Sequence, residues 1–127
     1  LTINHPSEMT ARSNSPVKST RFIEEQNMTK TEFHPTKPIS TYLYTFSVTD
    51  YVSKNEIVQG IPVGVPTAFQ PHIDIPLKLA IQSVNAYLNV VNTSRVFDKI
   101  DFVFVPDHTS AVENVGHITL QLNAFPQ

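Results

Sequence analysis

The chain has 127 residues, of which 40% are hydrophobic and 16% are charged, and its formal net charge is −2. This composition can build a core and excludes a disordered or fibrous chain, and the small charge gives no indication of nucleic-acid binding. The absence of cysteine excludes disulfides, thiolate metal sites and a cysteine nucleophile.

The first part of the chain favours strands. Residues 1–39 are rich in Ser, Thr, Pro and Asn, and their prolines exclude a long helix. Short strands separated by polar turns are predicted at Leu1–His5, Thr10–Asn14 and Lys30–His34. Thr41–Val48 is the clearest predicted strand, because apolar and polar side chains alternate along it. Residues 53–71 are predicted to be an extended connector between two subdomains, because the apolar run Gly60–Pro66 within them is broken by Gly and Pro.

The second part alternates between helix and strand. Apolar side chains recur at spacings of three and four over Pro76–Val91, which predicts a helix with Asp74 as a possible cap. Ile100–Val105 is almost wholly apolar and is typical of a buried strand. Ile118–Leu122 alternates, which predicts a further strand, and Pro106–His117 between them is predicted to be a polar loop.

The sequence gives little indication of a zinc site or of a Ser-His-Asp catalytic triad. The spacing of the five histidines gives no H-E-x-x-H motif and no convincing pair of zinc ligands; they are His5, His34, His72, His108 and His117. Asp107, His108 and Ser110 suggest a hydrolase triad, but triad members meet through the fold rather than as neighbours in sequence.

The loop at Pro106–Gly116 has two possible interpretations. It follows a buried strand and precedes another strand, and loops held at strand ends often carry binding groups. The plainer alternative is a solvated turn in which Glu113 is an ordinary surface charge. The chemistry of these residues favours that plainer alternative.

Several blocks of the chain resemble zinc aminopeptidases of the aminopeptidase N type. The run Ser110-Ala111-Val112-Glu113-Asn114-Val115-Gly116 is similar to the family's Gly-Ala-Met-Glu-Asn-Trp-Gly exopeptidase motif. Upstream, Thr31-Glu32-Phe33-His34 through Ser40-Thr41-Tyr42-Leu43 resembles another family stretch. Ile3-Asn4-His5-Pro6 and Thr10-Ala11-Arg12-Ser13-Asn14 match pieces that precede it. The blocks follow the family order and cover nearly the whole chain.

The resemblance implies a mixed, β-rich architecture in a fragment of a larger enzyme. Residues 1–57 would be the C-terminal part of the N-terminal β domain, a partial β-sandwich or saddle. Residues 58–127 would open a thermolysin-like α+β catalytic domain with its first helix and sheet, up to the exopeptidase motif. The zinc ligands of the family would lie beyond Gln127, so this chain is expected to bind no zinc and to be inactive alone.

The resemblance also implies site residues. Glu113 would bind the free α-amino group of a peptide, and Ser110, Ala111 and Asn114 would complete the substrate-binding set. The expected partners are a peptide N-terminus and the remainder of the catalytic domain. The motif departs from the family where Ser110 replaces Gly, Val112 replaces Met and Val115 replaces Trp.

These departures keep other hypotheses open. A catalytically inactive relative that serves as a binding or receptor ectodomain is one alternative, and an unrelated β-rich binding module is another. Two Asn-x-Ser/Thr glycosylation acceptors, at Asn27 and Asn92, favour the secreted or extracellular side of a membrane.

Overall fold

The computed structural model describes residues 1–68, 73–91, 97–106 and 109–121. Within these ranges it contains ten strands in three sheets, one α-helix and two short 3-10 turns. This content confirms the mixed, β-rich fold that the sequence predicts. None of the helical residues described forms a segment long and apolar enough to cross a bilayer.

The first five strands form two small antiparallel sheets. They are β1 (Thr2–Pro6), β2 (Thr10–Ser13), β3 (Val17–Ile23), β4 (Met28–Phe33) and β5 (Phe46–Thr49). One sheet has the order β1-β4-β3, and β2 pairs with β5 in the other. The predicted strands at Leu1–His5, Thr10–Asn14 and Lys30–His34 are therefore confirmed as β1, β2 and β4. β3 is not predicted from the sequence, because this strand is exposed over nearly its whole length and lacks an apolar stripe.

The remaining strands form a five-stranded sheet with the order β6-β7-β8-β10-β9. They are β6 (Val52–Val58), β7 (Ile61–Thr67), β8 (Ile100–Val105), β9 (Val112–Asn114) and β10 (His117–Gln121). The central strands β7, β8 and β10 are parallel, and the two edge strands β6 and β9 run antiparallel to their neighbours. The helix α1 (Asp74–Val90) connects β7 to β8 and packs against β6 and β7.

The two faces of this sheet have different chemistry. Val63, Val65, Ile100 and Phe104 form the hydrophobic core with α1, which buries Ala80 and Val84 against them. A polar row crosses the opposite face through directly paired residues, one from each strand: Asn55, Gly64, Asp101, His117 and Asn114. A Cβ at position 64 would overlap the side-chain oxygens of Asp101 and Asn55, so glycine lets these two side chains keep their positions in the row.

The predicted connector at residues 53–71 is wrong, because β6 and β7 form a hairpin there. Gln59 and Gly60, the two turn residues, have φ values of 49° and 79°. Positive φ at both positions gives the tight two-residue turn whose twist matches antiparallel strands. Pro62 and Pro66 lie within β7. Because proline is uncommon inside strands, these two residues argued against predicting a strand here.

The predicted strand at Thr41–Val48 is also wrong in its first half. Thr41–Leu43 forms a 3-10 turn, and only Phe46–Thr49 is a strand. The cause lies in Asn14, whose side chain binds the Leu43 carbonyl and the Thr45 amide and occupies backbone groups that a strand partner would use. Tyr42, which was expected on a half-buried face, is 78% exposed.

The later predictions need smaller corrections. The helix predicted at Pro76–Val91 is confirmed, but it begins two residues earlier, and Asp74 makes no capping hydrogen bond. Instead, the Asp74 carboxylate pairs with Lys54 on β6. β8 confirms Ile100–Val105, and β10 confirms the following strand up to Gln121, with Leu122 outside the described residues. The predicted loop at Pro106–His117 contains β9, so Glu113 lies in a strand.

Candidate functional site at the edge strand β9

Glu113 lies at the middle of β9, the short strand at one edge of the five-stranded sheet. It pairs with Ile118 on β10, which in turn pairs with Phe102 on β8. Directly paired residues point to the same face of a sheet. Glu113 therefore shares the face on which α1 packs, and its side chain is exposed at the border of that apolar surface.

A cavity of about 360 Å³ separates this part of the sheet from α1. The helix contributes Ser83, Val84 and Tyr87 to its wall, and β8 and β10 contribute apolar side chains. Tyr87 and Phe97 pack with ring centroids 6.1 Å apart. Glu113 is the acidic residue in this otherwise mostly apolar lining. An apolar wall screens charge less than water does, so a cation beside this wall would be attracted to the exposed Glu113 carboxylate.

The turn after Glu113 is fixed by contacts from distant parts of the chain. Asn14 Nδ2 donates to the Val115 carbonyl at 2.8 Å, and Asn114 Nδ2 donates to the Tyr42 carbonyl at 3.3 Å. Gly116 has a φ of 69°, and a Cβ at this position would overlap the backbone carbonyl of Asn14. The turn thus requires glycine both for its conformation and for close packing.

Beneath the turn lies a buried ion pair. Lys99 Nζ is 2.7 Å from Asp101 Oδ2 and donates to the Gly116 carbonyl at 2.8 Å. Burial lowers the pKa of Lys99, while the Asp101 carboxylate opposes this shift. Burial also lowers the pKa of Arg12, and Asp101 again acts against it. One carboxylate therefore balances two partly desolvated cations.

His117 completes this polar side of the sheet. Its side chain is 1% exposed, and Nδ1 has no hydrogen-bond partner among the described residues. Burial and the nearby Lys99 lower its pKa from 6.5 to about 4, so the imidazole is neutral at physiological pH. A buried neutral imidazole avoids adding a third cation beside Lys99 and Arg12.

The structure separates the predicted site residues into two groups. Ser110, Ala111 and Glu113 are exposed, whereas Asn114 is buried with its side chain bound to the Tyr42 carbonyl. Their substrate-binding role stays a prediction. Asp107 and His108 of the alternative triad lie outside the described residues, as does His72.

The side chains in the described part of the chain form no zinc-binding site. No group of three or more His, Cys, Asp or Glu side chains is close enough there to hold a metal ion. His5 is buried and bound to the Thr31 hydroxyl, and His117 lies in the polar row. The described residues therefore offer no ligand set that fits zinc, and whether the chain binds the metal stays a prediction.

Asn14, Lys99 and Asp101 belong to the site, yet the sequence analysis did not select them. Asn14 and Val115 are separated by 101 positions, so no local spacing connects them. The one available signal is Asp101, a charge inside an otherwise apolar strand, because such a charge needs a buried partner.

Fold and site together define a β-rich segment that presents an exposed carboxylate on an edge strand beside an apolar cavity. No protein-family model matches the chain. Aminopeptidase N of Homo sapiens is 34% identical to it over 134 residues, which covers 98% of this chain and 14% of that protein. Aminopeptidase N of Rattus norvegicus is 31% identical over 132 residues, and aminopeptidase Ey of Gallus gallus is 34% identical over 132, with the same two coverages.

The chain belongs to the aminopeptidase N family, in agreement with the resemblance found in its motifs. It spans 14% of the length of these relatives. The match extends over nearly the whole chain, so both the small sheets and the five-stranded sheet correspond to a continuous segment of those proteins.

Proposed function

We propose that this chain is the segment of a zinc metallo-aminopeptidase that recognises the free α-amino group of a peptide substrate, with Glu113 as the recognising carboxylate. The observation that carries the proposal is the position of Glu113, exposed on an edge strand and lining an apolar cavity. Family membership supports the same role, since Glu113 occupies the Glu position of the exopeptidase motif.

The chemistry of the carboxylate suits an ammonium ligand. A charge-assisted hydrogen bond between an ammonium and a carboxylate is about twice as strong as a neutral one. Binding the amine at Glu113 would place the first peptide bond at a fixed distance from this residue, which selects cleavage after one residue. An internal peptide bond offers no ammonium and would gain nothing from this contact.

The edge of the sheet suits an extended peptide. β9 pairs with β10 on one side, and no further described strand pairs with its other side. Such an edge presents backbone N–H and C=O groups that can add a peptide as another strand. Ser110 and Ala111, exposed just before β9, would line the peptide in this manner.

The catalytic metal and its chemistry would come from outside this segment. The described residues form no zinc site, so we assign them substrate recognition alone. In this proposal residues 1–57 end an N-terminal β domain, and residues 58–127 open a thermolysin-like catalytic domain whose remainder is the segment's main partner. This boundary lies within β6, one residue before its end, and so separates most of β6 from β7, the strand with which it pairs.

A secreted or extracellular location belongs to the same proposal. The acceptor Asn27 lies at the exposed tip between β3 and β4, with a φ of 49°. An exposed turn of this kind is accessible to glycosylation, whereas Asn92 lies outside the described residues. A mobility shift on deglycosylation, absent in Asn27→Gln, would support this location.

Glu113→Gln in the full-length protein tests the function. The substitution keeps the shape and removes the charge, so kcat/KM for peptides with a free amine should fall roughly 10- to 150-fold. Binding of an N-acetylated copy of the peptide, measured as an inhibition constant, should change much less. Glu56→Gln is the matched control, because Glu56 is an exposed carboxylate on β6 at the other edge of the same sheet.

Two outcomes would count against the proposal. Unchanged activity of Glu113→Gln in an active full-length protein would remove the recognition role. A full-length protein with no peptidase activity would instead favour the inactive binding ectodomain, and Ser110 and Val115, which differ from the family motif, would be the first residues to revert.

A further inference from the structure

Asn14 joins three separate parts of the chain through one buried side chain. Nδ2 donates to the carbonyls of Leu43 and Val115, both at 2.8 Å, and Oδ1 accepts from the Thr45 amide at 3.0 Å. The residue is 4% exposed. An asparagine amide has two N–H donors and one carbonyl oxygen. All three groups are used, and reversing the amide would set like groups against each other at every contact.

The turn at residues 114–116, whose Val115 carbonyl Asn14 binds, is also held by contacts at Asn114 and Gly116. The Asn14 backbone carbonyl lies where a Cβ of Gly116 would be, so the two backbones are in close contact. Asn114, one residue after Glu113, donates from its side chain to Tyr42 in the segment that Asn14 also binds. Residues 114–116 are thus tied to residues 14 and 42 by contacts that β10 does not provide.

We infer that Asn14 is a positioning residue for amine recognition: it holds the turn at residues 114–116, and through it the Glu113 carboxylate, at a fixed place against the small β2–β5 sheet. This inference rests on the proposed function of Glu113. β9 has only three residues and one described neighbouring strand, so its pairing alone fixes it weakly. A carboxylate that must meet an ammonium at hydrogen-bond distance needs the additional support.

Asn14→Asp is the informative substitution because it keeps the size of the side chain. A carboxylate still accepts from the Thr45 amide, but it faces the Leu43 and Val115 carbonyls without a proton to donate. Ser13→Ala is the matched control. Ser13 Oγ donates to the Thr45 carbonyl at 2.7 Å, so this variant weakens the same segment without touching residue 115.

The test is a double-mutant cycle in the full-length protein. We expect Asn14→Asp to lower kcat/KM for free-amine peptides roughly 10- to 100-fold, the scale of a small misplacement in a site. Binding of the N-acetylated copy should stay near its starting value. In a Glu113→Gln background Asn14→Asp should cause little further loss, since no charge remains to be positioned. Ser13→Ala should leave the preference for a free amine unchanged, whatever it does to the melting temperature.

The possible failures are distinguishable. If Glu113→Gln alone leaves kcat/KM for free-amine peptides unchanged, the proposed function is wrong. If Glu113→Gln lowers activity but the losses from Asn14→Asp and Glu113→Gln multiply, Asn14 acts on folding only and the positioning role is overturned. The same holds if Ser13→Ala lowers the free-amine preference as much as Asn14→Asp. Should Asn14→Asp fail to fold, Asn14→Ser keeps one hydroxyl donor and enters the same cycle with the same criteria.

Discussion

The five-stranded sheet presents an apolar face to α1 and a polar face to the β2–β5 sheet. On the helix face, Val63, Ile100 and Phe104 pack against α1 through nonpolar contacts. A cavity remains beside Glu113. On the polar face, Lys99 Nζ lies 2.7 Å from Asp101 Oδ2 and donates to the Gly116 carbonyl at 2.8 Å. Apolar packing tolerates small displacements of side chains. A buried ion pair loses much of its stabilising energy when its two charged groups move apart. The contacts on the polar face therefore fix the position of the edge strand β9. On the apolar face, a cavity remains between β9 and α1.

The largest effect should come from breaking the ion pair on the polar face. Asp101→Asn removes the carboxylate that, among the described residues, opposes the lowering of the pKa of both Lys99 and Arg12. Removing one partner of a buried pair typically costs about 3–5 kcal/mol. We expect this loss in the free energy of unfolding, measured by urea denaturation.

The control for this substitution is the exposed pair of Lys18 and Glu32, whose nitrogen and oxygen are also 2.7 Å apart. Glu32→Gln breaks a contact of the same length in solvent, so it should leave the denaturation midpoint nearly unchanged. Equal losses in Asp101→Asn and Glu32→Gln would contradict the contrast between buried and exposed charge.

The polar face should also make stability depend on pH through His117. Its pKa is lowered to about 4 in the folded chain, below the unfolded value of about 6.5. Above pH 6.5 both states are neutral and the group has no effect. As the pH falls from 6.5 toward 4, the unfolded state takes up a proton that the folded state does not, and stability is lost.

The expected loss is about 3 kcal/mol by pH 4, from about 1.4 kcal/mol per pH unit. Urea denaturation at several pH values measures it. His117→Gln has no ionisable side chain at this position and should show a shallower slope over the same range. A variant that keeps the full slope would place the responsible group elsewhere.

Gly116 is where the polar face meets the turn after Glu113. Gly116→Ala should destabilise the chain by about 2 kcal/mol from the positive φ alone, and further from overlap with the Asn14 carbonyl. Gly60→Ala tests the backbone conformation separately, because Gly60 has a φ of 79° at an exposed hairpin turn. Denaturation midpoints that shift equally in both variants would argue against tight packing at Gly116.

Sequence patterns predicted the apolar face better than the polar face. Periodicity identified α1 and β10, because burial of one face repeats at a fixed spacing in each element, and a continuous apolar run identified β8. It missed the β6–β7 hairpin, where Pro62 and Pro66 interrupt the pattern.

The site was predictable only in part. The motif resemblance directed attention to Glu113, but nothing local connects Asn14 to Val115 or Lys99 to the Gly116 carbonyl. These contacts depend on how the chain brings distant segments together. They involve single polar residues whose pairing has no period, so the sequence analysis had no pattern from which to derive them.

The smallest expected effect is a gain on the apolar face. Val115 lines the cavity with Tyr87 and Phe97, and the family motif has Trp at this position. Val115→Trp should fill part of the roughly 360 Å³ and stabilise the chain by about 0.5–2 kcal/mol, as cavity filling commonly does. These 127 residues contain no tryptophan, so in this segment fluorescence reports the introduced side chain alone. Blue-shifted emission together with a higher denaturation midpoint would show that the indole enters the cavity. Emission at the wavelength of exposed tryptophan, with an unchanged or lower midpoint, would show that the space between α1 and β9 does not accept it. The hydrogen bond from Asn14 uses the backbone carbonyl of residue 115, so the substitution tests the apolar face without removing either partner of the bond that anchors the polar one.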